Sequence, residues 1–231
     1  NTGWGVTNSG TLTDGQWTRG VPVLPPSTGA PSADADGSGQ CYLTDNALGN
    51  SDVDGGSTTL TSPILDASDP DAYIEYARWF HNTGGASPAS DTMLIEVSSN
   101  NGGTWVPLET VGPGGPDNSG GWVWRSFKVS DIPSITNTSQ FRIRFIAQDT
   151  GAGSVVEAAV DAVSVVVYAC SPVPCAGDVN GDGFTNASDF TILAGNFGAS
   201  VPVNTGGDLN GDGFVNASDF TILAGDFGCA P

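Results

Sequence analysis

One twelve-residue stretch constrains this chain more than any other, because it occurs twice. Asp178-Val179-Asn180-Gly181-Asp182-Gly183-Phe184-Thr185-Asn186-Ala187-Ser188-Asp189 returns thirty residues later as Asp208-Leu209-Asn210-Gly211-Asp212-Gly213-Phe214-Val215-Asn216-Ala217-Ser218-Asp219. Oxygen-bearing side chains stand at loop positions 1, 3, 5, 9 and 12, with glycine at position 6. A hard divalent cation such as calcium takes that donor set: side-chain oxygens at 1, 3 and 5, a backbone carbonyl at 7, often a water held at 9, and an acid at 12. Glycine at 6 permits the turn that brings these oxygens inward. One copy alone leaves a little room for a plain Asn/Asp/Gly surface turn; two copies in register leave none.

The expected ligands of the first ion are Asp178, Asn180, Asp182, the Phe184 carbonyl, Asn186 and Asp189. Those of the second are Asp208, Asn210, Asp212, the Phe214 carbonyl, Asn216 and Asp219. Position 12 is Asp where an EF-hand usually has Glu, so the shorter acid must sit closer to its ion. Each loop runs into a short helical pattern. Phe190, Leu193, Ala194 and Phe197 recur at i, i+3, i+4 and i+7, one apolar stripe, and Gly198 is placed to end the helix. Pro172, Pro174 and Gly177 before the first loop, and Pro202, Gly206 and Gly207 before the second, rule out an entering helix. Each unit is therefore a loop followed by a helix.

On these residues, 178–228 resembles a type I dockerin, the duplicated calcium module that plugs into a cohesin domain. The resemblance implies recognition through loop positions 10 and 11, Ala187-Ser188 and Ala217-Ser218, and along the exposed helix face. That face is expected to carry Ser188, Thr191 and Ile192, repeated at Ser218, Thr221 and Ile222. Cellulosomal dockerins often have a basic pair further along the helix; this chain has Ala194-Gly195 and Ala224-Gly225.

Charge narrows the partners. The chain has 6 Lys+Arg against 25 Asp+Glu in 231 residues, net −19. Every cation precedes residue 145, and residues 178–231 hold seven acids and no cation. Such a surface repels nucleic acid and anionic membrane, and no apolar run approaches the roughly 18 residues of a membrane span. The start at Asn1 without Met suits a secreted protein whose signal peptide has been removed. Four cysteines point the same way. Of the three connectivities they allow, we expect Cys175–Cys229, which brackets the calcium module, and Cys41–Cys170.

Residues 1–71 are rich in Gly, Ser, Thr, Asp and Pro, with Trp4, Trp17 and Val21–Leu24 as islands between turns. Strands are expected at 72–80, 92–98, 104–111, 122–129, 140–148 and 155–169, with Asn100-Asn101-Gly102-Gly103 as a hairpin turn. The 140–148 stretch puts Phe141, Ile143, Phe145 and Ala147 on one face and Arg142 and Arg144 on the other. No helical period precedes residue 170. The fold class is mainly β: an antiparallel sandwich or jelly roll at 1–170, a linker at 171–177, and a small α-helical calcium module at 178–231. The strand order and the runs Leu60-Thr61-Ser62-Pro63, Leu94-Ile95-Glu96-Val97-Ser98 and Phe141-Arg142-Ile143-Arg144-Phe145 make 1–170 resemble a MAM-type jelly roll. In that family the module is adhesive or accessory and not a catalyst.

Other candidates are weaker. Asp34, Asp36, Asp52 and Asp54 cluster early and Glu157 and Asp161 late. Asp54 and Asp161 come first for a third calcium ion, with solvated turn acids as the alternative. Trp105, Trp122 and Trp124 are either a platform for sugar rings or core. The lone histidine, His81, reads as a strand-end residue, and no Gly-x-Ser-x-Gly, His-Glu-x-x-His or phosphate loop is present, so no catalytic residue is assigned. Asn137-Thr138-Ser139 is a formal glycosylation sequon. The expected function is a secreted, non-enzymatic structural or adhesive assembly protein. Its calcium-loaded module docks onto a β-domain, either a separate cohesin-like domain or the jelly roll of the next copy, the latter building a fibre. The alternative is a carbohydrate-binding module delivered to a cohesin-bearing scaffold, with polysaccharide as a partner.

Overall fold

The structure, a computed structural model, describes residues 3–23, 28–48, 52–168 and 174–230. The chain divides into two compact units, one ending at Tyr168 and the other beginning at Ala169.

The first unit is a sandwich of two antiparallel sheets. One sheet runs β1 (Gly5–Asn8), β4 (Ser57–Thr61), β10 (Thr138–Gln148), β7 (Met93–Ser98) and β8 (Val106–Val111), with β5 (Leu65–Ala67) also pairing β10. The other runs β2 (Trp17–Gly20), β3 (Cys41–Thr44), β11 (Ser154–Val167), β6 (Ala72–Gly85) and β9 (Val123–Lys128). Alternation decides what faces inward. Met93, Ile95 and Val97 of β7, and Phe141, Ile143, Phe145 and Ala147 of β10, are fully buried. Ala72, Ile74, Tyr76 and Phe80 of β6 meet them from the opposite sheet, where Tyr76 and Phe145 pack edge to face at 5.3 Å. The hairpin turn forms as expected: Gly103 N–H donates to the Asn100 carbonyl at 3.1 Å, and Asn101 and Gly102 take the left-handed conformation.

The strands expected from 72 onward are present. The reading of 1–71 as turns is corrected, because β1 to β5 lie there. Each is short, and each is made a strand by a partner distant in sequence: Gly5–Asn8 lies against Ser57–Thr61, and Cys41–Thr44 against β11.

One charge lies inside. Arg78 is only 2% exposed, and its Nη2 pairs with Glu109 Oε1 at 2.6 Å and Asp117 Oδ2 at 2.8 Å. Arg125 Nε lies 3.2 Å from the same Glu109 oxygen, and the Tyr76 hydroxyl donates to Glu109 Oε2 at 2.9 Å. Burial of this arginine is tolerable because its carboxylate partners are buried or half-buried with it.

The second unit holds α1 (Ala187–Gly195) and α2 (Ala217–Asp226) around three fully buried apolar side chains, Leu193, Val215 and Leu223. A Cys175–Cys229 disulfide closes it, as expected. Cys41 is a buried free thiol, pushed up to about 12 by its burial and then by the nearby Asp161 and Asp34. Its expected partner, Cys170, lies outside the described residues. No helix among the described residues is long and apolar enough to cross a membrane.

Candidate metal-binding and docking site

Each loop is shaped by its own acids. Asp178 Oδ1 accepts from Gly181 N (2.7 Å) and Asp182 N (3.2 Å), and its Oδ2 from Gly183 N (2.8 Å). Asn180 Oδ1 accepts from Asp182 N and Asp182 Oδ1 from Phe184 N, both at 2.9 Å. The second loop repeats this pattern: Asp208 holds Gly211, Asp212 and Gly213, Asn210 holds Asp212, and Asp212 holds Phe214. Gly183 and Gly213, at position 6, have φ of +90° and +81°, which a side chain would strain.

Position 12 ties the loop to its helix. Asn186 caps α1, its side chain accepting from Ser188 N at 2.8 Å, and Asp189 returns the bond from the third helical position to Asn186 N at 2.9 Å, a capping box. Asp189 Oδ1 also holds Val179 N and Asn180 N. Asn216, Asp219, Leu209 and Asn210 repeat the arrangement. Burial alone would raise the Asp189 and Asp219 pKa values; three backbone amides on each outweigh it and hold them below the usual carboxylate range. The oxygens at positions 1, 3, 5, 7, 9 and 12 are all hard donors, with no nitrogen or sulfur among them, and the set fits calcium.

Position 8 locks the repeats together crosswise. Thr185 N–H donates to the Cys229 carbonyl and the Thr185 carbonyl accepts from Gly228 N–H, at 3.1 and 2.9 Å. Val215 N–H donates to the Ala199 carbonyl and the Val215 carbonyl accepts from Gly198 N–H, at 3.0 and 2.8 Å. Each loop is thus paired to the chain that follows the other repeat's helix, a pseudo-twofold. The symmetry breaks at one polar contact. Thr185 Oγ1 donates to Asp226 Oδ2 at 2.8 Å, and Gly177 N donates to the same oxygen at 2.7 Å, whereas Val215 is apolar and Asn196 stands where the second repeat has Asp226. Position-by-position comparison of the repeats would have found that difference.

The helix stripe needs correction. Of Phe190, Leu193, Ala194 and Phe197, only Leu193 is buried; Phe190 and Phe197 are 43% and 57% exposed, as are Phe220 and Phe227 to the same degree. A helix of nine residues in so small a unit has one neighbour to cover it, and Leu193 takes that cover. Phe190 and Phe220 instead meet edge to face at 6.0 Å across the two helices. Ser188, Thr191, Ser218 and Thr221 are exposed as expected, while Ile192 and Ile222, adjacent to the buried leucines, are half-buried. The threonine hydroxyls are turned back onto the Ala187 and Ala217 carbonyls at 2.8 Å.

The remaining candidates settle differently. Asp161 converges with Asp34 and Asp36, their carboxylate oxygens lying within 4.8 Å of one another. Asp54 is not in that group, contrary to the pairing expected; its backbone bridges Asp14. The reason is the path of residues 28–40, which carries Asp34 and Asp36 to the outer face of β11: Ala35 N donates to Asp161 Oδ2 at 2.8 Å. The same segment covers Trp79 and Trp122, whose indole N–H groups donate to the Gly29 and Ala33 carbonyls at 2.7 and 2.9 Å. Trp122 is therefore an anchor for that segment. Trp105 lies under the Arg144 guanidinium at 4.3 Å, a cation–π contact. Trp124 alone of the three is largely exposed, at 56%.

His81 is a β6 residue beneath the same segment, its Nε2 sharing a hydrogen bond with Thr83 Oγ1 at 2.9 Å. Gly29 has φ +94°, and a Cβ there would collide with the His81 ring. Burial lowers the His81 pKa. Asn137 of the sequon donates its side-chain amide to the Ala67 and Asp69 carbonyls at 3.1 and 2.6 Å.

Comparison with known proteins divides along the same boundary. Residues 176–227 match the type I dockerin domain family. A type II cohesin–dockerin structure from Bacteroides cellolosolvens is similar to 25% of this chain, over 92% of its own length, at 45% identity and a TM-score of 0.23. The K1 cleaved adhesin domain of Lys-gingipain from Porphyromonas gingivalis W83 is similar to 73% of the chain, over 93% of its own, at 13% identity and a TM-score of 0.43. A carbohydrate-binding module specific for non-crystalline cellulose is similar to 66% of the chain, over 88% of its own, at 13% identity and a TM-score of 0.37. No curated protein matches the chain.

Proposed function

Because residues 176–227 are a dockerin module, we propose that this chain is a secreted, non-catalytic assembly subunit whose calcium-loaded C-terminal unit docks onto a cohesin-type β-domain. The observation that carries the proposal is the crosswise pairing of the two loops. It presents Ala187-Ser188 and Ala217-Ser218, each at the start of a capped helix, as two equivalent faces. Asp178, Asn180, Asp182, Asn186, Asp189 and the Phe184 carbonyl would hold one ion, and Asp208, Asn210, Asp212, Asn216, Asp219 and the Phe214 carbonyl a second. The ions supply positive charge among carboxylates that otherwise repel, and so fix the loops that carry the docking faces.

A separate partner is favoured over the next copy of the same chain. The residues through 168 hold 18 acids and 6 cations, net −12, and those beyond hold seven acids and no cation. Four of the six cations are already paired with carboxylates: Arg78, Arg125, Lys128 and Arg144. Two copies therefore repel at long range, and docking between them would rely on contact alone. The test is calorimetry of the full chain against recombinant type I and type II cohesin domains, with light scattering of the chain by itself, in calcium and in EGTA. Calcium-dependent binding to a cohesin supports the reading. Calcium-dependent oligomers without cohesin would move the docking surface to the chain's own sandwich. Neither result in millimolar calcium would overturn it.

A further inference from the structure

The outer face of the β2-β3-β11-β6-β9 sheet is divided in two. One half is covered: Trp79, Trp122, Cys41, Leu43 and Ala159 form an apolar cluster, and residues 28–40 are bonded over the tryptophans. The other half carries three cross-strand rows: Trp124 beside Ala77, a row whose far end, Asp161, is held by Ala35 of the covering segment; Ser126 beside Glu75 and Ser164; and Lys128 beside Tyr73 and Val166. In an antiparallel sheet directly paired residues share a face, so all three rows point outward with Trp79. Trp124 is 56% exposed and Tyr168 60% exposed, and Tyr73 packs edge to face on Tyr168 at 5.3 Å.

The polar groups among these rings are fixed. Glu75 Oε1 accepts from Ser126 Oγ at 2.8 Å and from the Tyr168 hydroxyl. Its Oε2 takes no donor among the described residues. Lys128 Nζ is neutralised by Asp71 at 2.7 Å. The row of Trp124 and that of Tyr73 are four residues apart along β6, about 14 Å, room for a short oligosaccharide rather than one ring.

We propose that this uncovered half is a glycan-binding platform centred on Trp124. The indole stacks on the C–H face of a pyranose, and Glu75 Oε2 accepts from a ring hydroxyl. The ligand is a neutral polysaccharide with β-linked, equatorially substituted rings, which present flat C–H faces to an aromatic plane. Neutrality follows from charge: the patch offers a carboxylate and no unpaired cation, on a chain of net charge −19, so an acidic polysaccharide is repelled. This goes beyond the docking reading and does not depend on it.

Affinity electrophoresis of the full chain tests it, in gels containing hydroxyethylcellulose, xylan, galactomannan or polygalacturonate. Retardation by at least one of the neutral three is expected, unchanged by EGTA or by Asp178→Ala, Asp182→Ala, Asp208→Ala and Asp212→Ala made together, either of which disables docking instead. Trp124→Ala should weaken it at least tenfold and Glu75→Gln several-fold; both side chains are on the solvent face, and an unchanged melting curve will show that the fold is intact. Retardation by none of the neutral polysaccharides overturns the proposal. So does retardation that survives Trp124→Ala, or that occurs with polygalacturonate alone.

Discussion

The sandwich and the calcium unit solve the same problem from opposite ends. In the sandwich, two sheets bury a continuous core from Trp17 to Val160 and even enclose an arginine. In the calcium unit, three apolar side chains are fully buried, and six phenylalanines are left more than 40% exposed. Surface grows against volume as a domain shrinks, and below about 70–80 residues a core seldom supplies more than about 3–5 kcal/mol without a disulfide or a metal. The calcium unit has a disulfide and two loops of hard oxygen donors. The sandwich draws on a far larger buried apolar core.

The largest expected effect separates the two outright. In EGTA with a reductant, hydrogen exchange should show amide protection lost from α1 and α2 and kept in β6, β7, β10 and β11. Helices that stay protected under those conditions would mean that the small core suffices, and the contrast would fail. Next come substitutions that should each disturb one unit. Phe145→Ala leaves a cavity in the sandwich and should cost about 3–5 kcal/mol there. Replacing Cys175 and Cys229 by Ser frees a closed loop of 54 residues and should cost the calcium unit about 4 kcal/mol. Urea unfolding followed by tryptophan fluorescence for the sandwich, where all six tryptophans lie, and by helical circular dichroism for the calcium unit will show whether each loss stays in its own unit.

A smaller effect concerns the two repeats. Asp178→Ala with Asp182→Ala should weaken cohesin docking by less than about tenfold, or 1.4 kcal/mol, because the second face remains. The same change in both repeats should abolish it. Complete loss from one repeat in calorimetry would show that the faces are not interchangeable. The smallest effect is that of pH. Burial raises the pKa values of Asp45, Asp52 and Asp149 in the sandwich. Acids with raised folded values bind protons more readily when folded, so the sandwich should gain stability as pH falls through those values towards about 4. Calcium loops go the other way, since their ligands must be deprotonated. His81, whose pKa burial lowers, opposes this gain between pH 7 and pH 5, so over that range the sandwich's urea midpoint should show no net gain while that of the calcium unit falls, by well under the losses above.

The turns and caps of the two loops were legible because every residue that shapes a loop is within twelve residues of every other. So were the strands from β6 onward, where runs of Val, Ile and aromatic residues alternate. The strands β1 to β5 were not. Gly5–Asn8 is exposed throughout and carries no pattern; it is a strand only because Ser57–Thr61 lies beside it. The helix stripe failed for a related reason. A period of 3.6 says which residues share a face and says nothing of whether the protein can cover that face. Trp122 and Trp124 show the limit most clearly: two residues apart and on one side of the sheet, one is covered by a segment some ninety residues earlier in the chain and the other is bare. Asp34, Asp36 and Asp161 were among the acids the sequence offered for a third site, but Asp54 was ranked above Asp34 and Asp36, because the choice depends on where that segment lands.

The crosswise bonds at Thr185 and Val215 have a further consequence. Each loop is completed by main chain that belongs to the other half, so neither half is a finished object. A gene that lost one repeat would not encode a weaker plug with one ion; it would encode a loop whose closing strand is missing. Replacing ligands in one loop leaves those bonds in place, so the other loop keeps its closing partner; truncating a repeat removes the partner itself.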